Sequence, residues 1–243
     1  MTIDAGSLDF EQLGDQLRRL AGEEIVIERC LGQRYIGSGL KNTNIEIYGT
    51  PGNALGAYLG EGSRIVVHGN AQDATGDTMS GGSIVVHGSA GDAAGYGMRG
   101  GTMLVRDSAG YRAGIHMKQY GQAYPALVIG GSAGNFLGEY LAGGVILVLG
   151  LDRPAGVAPV GRFCGTGMHG GKIFLRGDAI PPELPPQVAM QPAAPEELEA
   201  EILPLVREYA EAFGVPPAHL TDRPFLRLMP NSRNPYHNMY VNN

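Results

Sequence analysis

The sequence is short of charge and has no long apolar run. Asp, Glu, Lys and Arg make up 17% of its 243 residues, and the formal net charge is −6. Neither Lys nor Arg forms a long run, which argues against nucleic acid or an anionic membrane as a partner. No stretch of 18 apolar residues occurs and no charged-then-apolar leader opens the chain. We therefore expect a soluble cytoplasmic protein.

Cysteine is also scarce, since Cys30 and Cys164 are the only two. Two thiols cannot build a four-cysteine zinc site, and they cannot hold an iron–sulfur cluster unaided. The cysteines therefore predict neither a metal site nor a cofactor site in this chain.

Glycine is abundant, with 39 residues. No three-residue period accompanies it, which excludes a collagen-like chain, and 43% hydrophobic residues argue against disorder. Gly95-x-Gly97-x-x-Gly100 has the form of a dinucleotide-binding motif, and a second cluster, "GTGMHGG", begins at Gly165. A dinucleotide site needs a long helix after the glycines, whereas both clusters are followed within a few residues by a strand-like run.

A repeat explains both clusters. Short apolar runs begin at residues 45, 65, 84, 103, 127, 146 and 173, at spacings of 20, 19, 19, 24, 19 and 27 residues. After each of the first five runs a glycine and then a Leu or Met recur at fixed distances. These positions are Gly56, Gly76, Gly95, Gly114 and Gly138, then Leu59, Met79, Met98, Met117 and Leu141. Gly165 and Met168 fall in the same two columns, so the clusters are predicted to be corners of one repeated coil.

The period predicts a solenoid of about seven coils whose short strands stack in parallel. The first and third positions of each run are apolar and should point inward, starting with Ile45 and Ile47. The Leu/Met column is interpreted as core packing and not as a soft-metal site. Insertions at 121–125 ("GQAYP") and 151–165 break the period.

The outward columns hold the candidate functional residues. The second position is apolar in every run except at Glu46, so either the chain's own tails or a partner should cover it. The fourth position begins Tyr48, His68, His87, Arg106, and the two histidines should stack on adjacent coils, close to the charge of Arg106. A two-histidine metal site is the alternative to a polar strip.

Two further patterns have the form of catalytic motifs, but their places in the repeat indicate structural roles. "GGSAG" at 130–134 has the form of a nucleophile elbow around Ser132, but the repeat places Ser132 at a corner one step past a strand. Asp73 and Asp92 share a column with Asn53 and Asn135, which indicates corner hydrogen bonding and not a pair of catalytic carboxylates. No catalytic, cofactor-binding or metal-ligating residue is assigned.

The repeat divides the chain into four segments. Residues 1–24 form an N-terminal helical segment, in which 7–21 should be an amphipathic helix, and residues 25–178 form the solenoid. Residues 179–195 are a proline-rich strap. Residues 196–243 contain a helix that Pro204 should kink or divide and Gly214 should end, followed by an irregular tail that docks on a surface.

The coil unit resembles a known family. "GGSAGNFLGEYLAGGVILVLG" and "GRFCGTGMHGGKIFLRG" look like the glycine-repeat (GXGXG) domain, which forms the C-terminal part of the glutamate synthase large subunit and recurs as a separate subunit of formylmethanofuran dehydrogenase. The resemblance covers about residues 25–178, and "FLRLMPNSRNPY" is similar to the tails of free-standing forms of the domain.

The resemblance implies a right-handed parallel β-helix that joins catalytic domains without doing chemistry. In glutamate synthase those domains are a glutamine amidotransferase and an FMN/iron–sulfur synthase, which would be separate partner subunits here. A scaffold subunit of a formylmethanofuran-dehydrogenase-type molybdopterin complex is the alternative. An independent enzyme, either a hydrolase using Ser132 or a carbohydrate enzyme, is the third hypothesis.

Overall fold

A computed structural model describes residues 1–231 and contains one mostly parallel sheet wound into a β-solenoid of about seven turns. The strands are β1 Thr2–Asp4, β2 Glu24–Leu31, β3 Asn44–Thr50, β4 Arg64–His68, β5 Ser80–Val86, β6 Gly100–Val105, β7 Ala126–Ile129, β8 Ala142–Val148, β9 Gly170–Arg176, β10 Val188–Pro192 and β11 Phe225–Pro230. Each strand from β1 to β8 pairs in parallel with the next along the chain, as the repeat predicts.

The register of the strands confirms the predicted inward columns. Ile45 pairs with Ile65, and Ile65 pairs with Ile84. The first and third positions of all seven runs are buried, as is the Leu/Met column from Leu59 to Met168. Like residues of successive coils therefore stack about 4.8 Å apart and form ladders. These ladders make up the hydrophobic core.

The solenoid starts earlier than the seven runs. β2 carries Ile25 and Ile27 in register with the inward positions of β3, so "EIVIE" is the strand of an additional coil. β1 pairs with β2 in parallel and extends the sheet by one short strand.

Helix α1, Phe10–Arg19, covers the N-terminal end of the core, within the predicted range 7–21. Asp9 caps it, because its side chain accepts from the N–H of Gln12 while the Gln12 side chain accepts from the N–H of Asp9. Leu13 and Leu17 are fully buried against the first coils. The helix thereby shields core residues that no preceding coil covers.

Every coil turns one corner through three alternating left-handed residues. In one coil these are Ala74, Gly76 and Thr78, with φ of 56°, 73° and 52°. The middle position is always glycine, whereas the outer two are mostly other residue types, Phe136 and Tyr140 among them. A Cβ at the middle position points at an inward side chain of the following coils, for example Ile65 Cδ1 at 2.7 Å from Gly37. The middle glycine therefore serves packing as well as backbone geometry.

The C-terminal end is covered by two antiparallel strands. β11 pairs with β9, and β10 pairs with β11. The sequence predicts an extended strap over 179–195, in which β10 lies, and an irregular tail from residue 223, where β11 forms instead. The sequence does not predict β11 because only two of its residues, Phe225 and Leu228, are buried and because it lacks the repeat of the coils.

The C-terminal helix begins with α2, Pro195–Glu197, continues as a π-helical turn, Leu198–Ile202, and becomes α3, Leu203–Phe213. The π turn lies directly before Leu203 and Pro204, at the place where the sequence predicts a kink or a division, and the helix continues through it without a break. Gly214 ends α3 with φ of 66°, and its N–H bonds to the carbonyl of Ala210. Short 3₁₀ turns occur at Ala5–Ser7 and Pro217–His219.

Within residues 1–231, no helix is both long enough and apolar enough to cross a membrane. The bounds of the four predicted segments stay predictions, and the part of the docking tail after Asn231 lies outside the described residues.

Candidate functional site

The two glycine clusters are corners of the solenoid, as predicted. Gly95 and Gly97 adopt φ of 73° and 57°, and Gly165 and Gly167 adopt 73° and 67°. Strand β6 follows the first cluster and β9 follows the second. A dinucleotide pyrophosphate sits on the N-terminus of a helix, and a strand occupies that place in both copies.

Ser132 is a corner residue as well. It follows β7 and precedes Ala133, which bridges to Ala109 and Val160 in the neighbouring coils. Its hydroxyl donates to Asp152 Oδ2 at 2.9 Å and accepts from Arg153 Nη2 at 3.1 Å. These contacts fix the base of the inserted loop after β8, and no imidazole is among the hydrogen-bond partners that the described residues give Ser132.

The Asp and Asn column forms a hydrogen-bond ladder along another corner. Asp73 Oδ1 accepts from the N–H of Asp92 at 2.9 Å, and Asp92 Oδ1 accepts from the N–H of Tyr111 at 2.8 Å. Asn135 Oδ1 accepts from the N–H of Arg162 at 2.8 Å. Each side chain thus satisfies a backbone donor of the next coil, which confirms the corner interpretation.

The fourth-position column stacks as predicted. The ring centroids of Tyr48 and His68 lie 4.3 Å apart, and those of His68 and His87 lie 5.3 Å apart. His87 also meets the ring of Phe213 edge-on at 5.1 Å. Burial lowers the pKa of His87, and the charges of His68, Arg106 and Arg64 lower it further, so the neutral imidazole is favoured.

One carboxylate approaches this column from the neighbouring one, since Glu46 Oε2 lies 3.6 Å from His68 Nε2. The repeat places no carboxylate in the column itself, so this contact was not predicted. Among residues 1–231, no group of three or more His, Cys, Asp or Glu side chains is arranged to hold a metal ion.

The two thiols are buried and unpaired with each other. Burial raises the pKa of Cys30 to about 11 and that of Cys164 to about 12. Both therefore remain protonated at neutral pH, and a protonated thiol is a poor nucleophile.

The apolar outer column is covered by the chain's own C-terminal helix. Val85, Leu104 and Phe174 are buried in a second hydrophobic cluster. The side chains that cover this column are Ile202, Leu205, Val206, Tyr209 and Ala210 of the helix together with Leu220 and Phe225. The sequence left open whether a tail or a partner covers this face, and the tail does.

Charged contacts hold the helix in place. Lys172 Nζ lies 2.9 Å from Glu197 Oε1 and 2.5 Å from Glu201 Oε1. Arg227 Nη1 donates to Glu197 Oε1 at 2.9 Å, and Tyr124 donates to Glu201 Oε2 at 3.1 Å. Positive charges from β9 and β11 and the Tyr124 hydroxyl of the insertion at 121–125 therefore contact the π-helical turn and α2.

A surface that the sequence did not predict lies along the left-handed corner of the later coils. We call it the aromatic corner, and it consists of Tyr96, Tyr111, His116, Phe136, Tyr140 and Phe163. Each of these side chains stands beside the buried glycine and Leu/Met columns of the repeat. The repeat gives the column of each residue, but it does not show that these side chains lie together on one surface.

Comparison with known proteins identifies the repeat. A family model described as the GXGXG motif matches residues 16–228. The chain belongs to the GXGXG family. The match is longer than the resemblance over 25–178, because it includes part of α1 and extends into β11.

Two relatives of this GXGXG chain differ greatly in length. The chain is 43% identical over 253 residues to an uncharacterized protein of Methanocaldococcus jannaschii, in a match covering 99% of the chain and 96% of that protein. It is 30% identical over 199 residues to ferredoxin-dependent glutamate synthase 2 of Synechocystis sp., in a match covering 77% of the chain and 12% of that protein. The GXGXG unit is thus related both to most of one small protein and to a minor part of a large synthase.

Proposed function

We propose that the protein is a non-catalytic scaffold subunit of a glutamate-synthase-type complex. The similarity to 12% of ferredoxin-dependent glutamate synthase 2 carries the proposal, because it relates this chain to one section of a much longer synthase. The remaining functions of such a synthase would reside on separate subunits. We infer a glutamine amidotransferase and an FMN/iron–sulfur synthase as these partners, acting together in the cytoplasm.

The geometry of the candidate residues supports a structural role. The glycine clusters and Ser132 turn corners, the Met column fills the core, and the thiols are buried and protonated. In the described part of the chain each of these groups has a role in folding or packing. A long, regular solenoid also provides several faces at fixed separations, which suits a protein that holds others in place.

Reconstitution tests the proposal. The amidotransferase and synthase subunits of the same organism would be purified with and without this chain, and glutamate formation from glutamine and 2-oxoglutarate would be measured. We expect glutamine-dependent turnover only when the chain is present. The isolated chain should show no flavin absorbance and no ammonia-dependent turnover.

Two results would contradict the proposal. One is flavin absorbance or turnover by the isolated chain, which would indicate an enzyme. The other is association with a molybdopterin-containing subunit in place of the two named partners, which would favour the formylmethanofuran-dehydrogenase-type complex.

A further inference from the structure

The aromatic corner is an apolar surface that the described part of the chain leaves open. Tyr96 and Tyr111 are 42% and 37% exposed. In contrast, the outer apolar column is covered by α3 from Val85 to Phe174. Rows of aromatic side chains that remain in water mark a contact surface more often than single exposed residues do.

Contacts along the solenoid axis hold the rings of the aromatic corner in place. The ring centroids of His116 and Tyr140 lie 5.0 Å apart at an interplanar angle of 14°, and Tyr96 meets His116 edge-on at 5.9 Å. A Cβ at Gly167 would lie 2.6 Å from Tyr140 Cδ1, so the tyrosine ring lies directly over the glycine. Little side-chain freedom remains to be lost when a partner binds.

A second row is ordered around an arginine. The centroid of Phe136 lies 5.6 Å from that of Tyr111 and 4.9 Å from that of Phe163. Arg112 Cζ lies 4.7 Å from the Tyr111 ring centroid, and Arg112 Nε lies 2.7 Å from a buried carboxylate oxygen of Glu139. Tyrosine and arginine held in this way are the residue types that dominate binding energy in protein interfaces.

A strip of cations runs beside the aromatic corner. Arg99 and Lys118 each stand one step past the buried Met column, and the N–H of Lys118 bonds to the carbonyl of Met98 in the preceding coil. Both side chains are exposed, and neither forms an ion pair with another of residues 1–231. This strip is basic although the chain as a whole carries −6.

The arrangement distinguishes between kinds of partner. In a two-fold dimer through this surface, the cationic strips of two copies would lie against the same interface and repel each other. His116 and Tyr140 stack face to face, and the net charge of −6 argues against a nucleic acid as the partner. An acidic protein surface satisfies both the rings and the cations.

From these observations we infer that the aromatic corner, together with Arg99 and Lys118, is the docking surface for an acidic face of a catalytic partner subunit. This inference rests on the proposed function, because it takes the partner from the proposed complex. The aromatic rows supply the apolar centre of the interface, and the two cations supply its rim and orient the partner.

Binding kinetics with the purified synthase and amidotransferase subunits test the inference. The double variant Arg99→Glu/Lys118→Glu should weaken binding to one of the two subunits by about 10-fold or more, mainly by slowing association. The difference should shrink at about 1 M salt, where the Debye length is about 3 Å. The control is Arg19→Glu/Arg207→Glu, which makes the same change of charge at two exposed arginines on α1 and α3.

A second pair of variants tests the rings. Tyr140→Ala should speed dissociation of the same subunit, whereas Tyr58→Ala, at the matching corner position of an early coil, should not. If the wild-type chain binds a subunit and the Arg99/Lys118 and Tyr140 variants bind it equally well, this inference is wrong and the proposed function stands. If the wild-type chain binds neither subunit, both are wrong.

Discussion

At the scale of single residues, each left-handed corner depends on one glycine. Gly95 and Gly114 occupy the same place in successive coils and have nearly the same φ, 73° and 69°. Their surroundings differ, because a Cβ at Gly114 would overlap Ile146 Cδ1, whereas a Cβ at Gly95 would lie 3.5 Å from Leu127 Cδ2. Comparing an alanine substitution at Gly95 with one at Gly114 therefore distinguishes the cost of backbone strain from the cost of steric overlap.

We predict that Gly95→Ala lowers the free energy of unfolding by about 1–2 kcal/mol, the cost of placing a side chain in the left-handed region. Gly114→Ala should cost a further 1–3 kcal/mol or so, because the added methyl group overpacks a fully buried isoleucine. Chemical denaturation of both variants measures the difference. Equal losses at the two positions would show that the inward-pointing Cβ plays no part.

The corner also shows why part of the structure is invisible in the sequence. Phe136 and Tyr140 adopt φ of 59° and 54°, conformations in which glycine or asparagine is expected. Their side chains point away from the core, so the corner accepts them on the outside and requires glycine only in the middle. The glycine column could be predicted from the repeat, but the aromatic corner could not, because only the coordinates show which outer positions lie together.

At the scale of elements, specific contacts hold the C-terminal helix on the sheet at two places, one on α3 and one on α2. Tyr209 donates to the carbonyl of Arg106 at 2.8 Å, and it reaches this position over Gly130. A Cβ at Gly130 would overlap the tyrosine hydroxyl. The other end of the contact is the buried carboxylate of Glu197 between Lys172 and Arg227.

Gly130→Ala should displace α3 from the sheet and also shift the backbone of the preceding coil, because the added Cβ would overlap the carbonyl oxygen of Arg106. Loss of the Tyr209 hydrogen bond and partial exposure of the second hydrophobic cluster should together cost about 2–4 kcal/mol. Hydrogen exchange measured by residue should rise in 203–213 and around Arg106 and Gly130, and it should stay low in β5 and β8. Gly14→Ala on α1, where the glycine needs no positive φ and a Cβ would come no nearer than 3.4 Å to a neighbouring side chain, serves as the control and should leave exchange in 203–213 unchanged.

The ion pairs at Glu197 predict a dependence of stability on pH. Burial alone would raise the pKa of Glu197, but hydrogen bonds from Lys172 and Arg227 and from the N–H of Ala194 outweigh it and lower the pKa from 4.5 to about 2. Because the folded state holds this proton more weakly than the unfolded state, the stabilisation is complete above pH 4.5 and is lost as the pH falls towards 2.

Glu197→Gln should therefore reduce the free energy of unfolding at neutral pH by about 2–3 kcal/mol. Between pH 4.5 and 2, the free energy of unfolding of the variant should fall less than that of the wild-type chain. Denaturation at a series of pH values checks both statements. Glu196→Gln, at an exposed neighbour, should leave the wild-type pH profile unchanged. An identical acid response in wild type and Glu197→Gln would show that Glu197 is not the source of the pH dependence.

At the scale of the whole molecule, the repeat determines far more than the composition does. The columns at Ile45 and Ile47 sufficed to predict the parallel solenoid and its core, because a period of about 20 residues forces like residues into ladders. Strands β10 and β11 escaped prediction, since they pair antiparallel at one end and lack the period. The outer face was predicted to need a cover, and only the structure shows that α3 provides it.

The whole molecule also has two kinds of exterior. One face is closed by the chain's own helix, and the left-handed corner of the later coils is open, aromatic and bordered by Arg99 and Lys118. A scaffold needs an external surface that remains available after its own core is complete. The division of the exterior into a covered face and an open corner agrees with the proposed role.

Native mass spectrometry of the co-expressed proteins tests the central claim most directly. The amidotransferase and the synthase of the same organism would be produced with this chain and without it. We predict one assembly containing all three proteins, and separate amidotransferase and synthase when the chain is left out. An amidotransferase–synthase complex of full stability that forms without this chain would contradict the claim that the chain joins them.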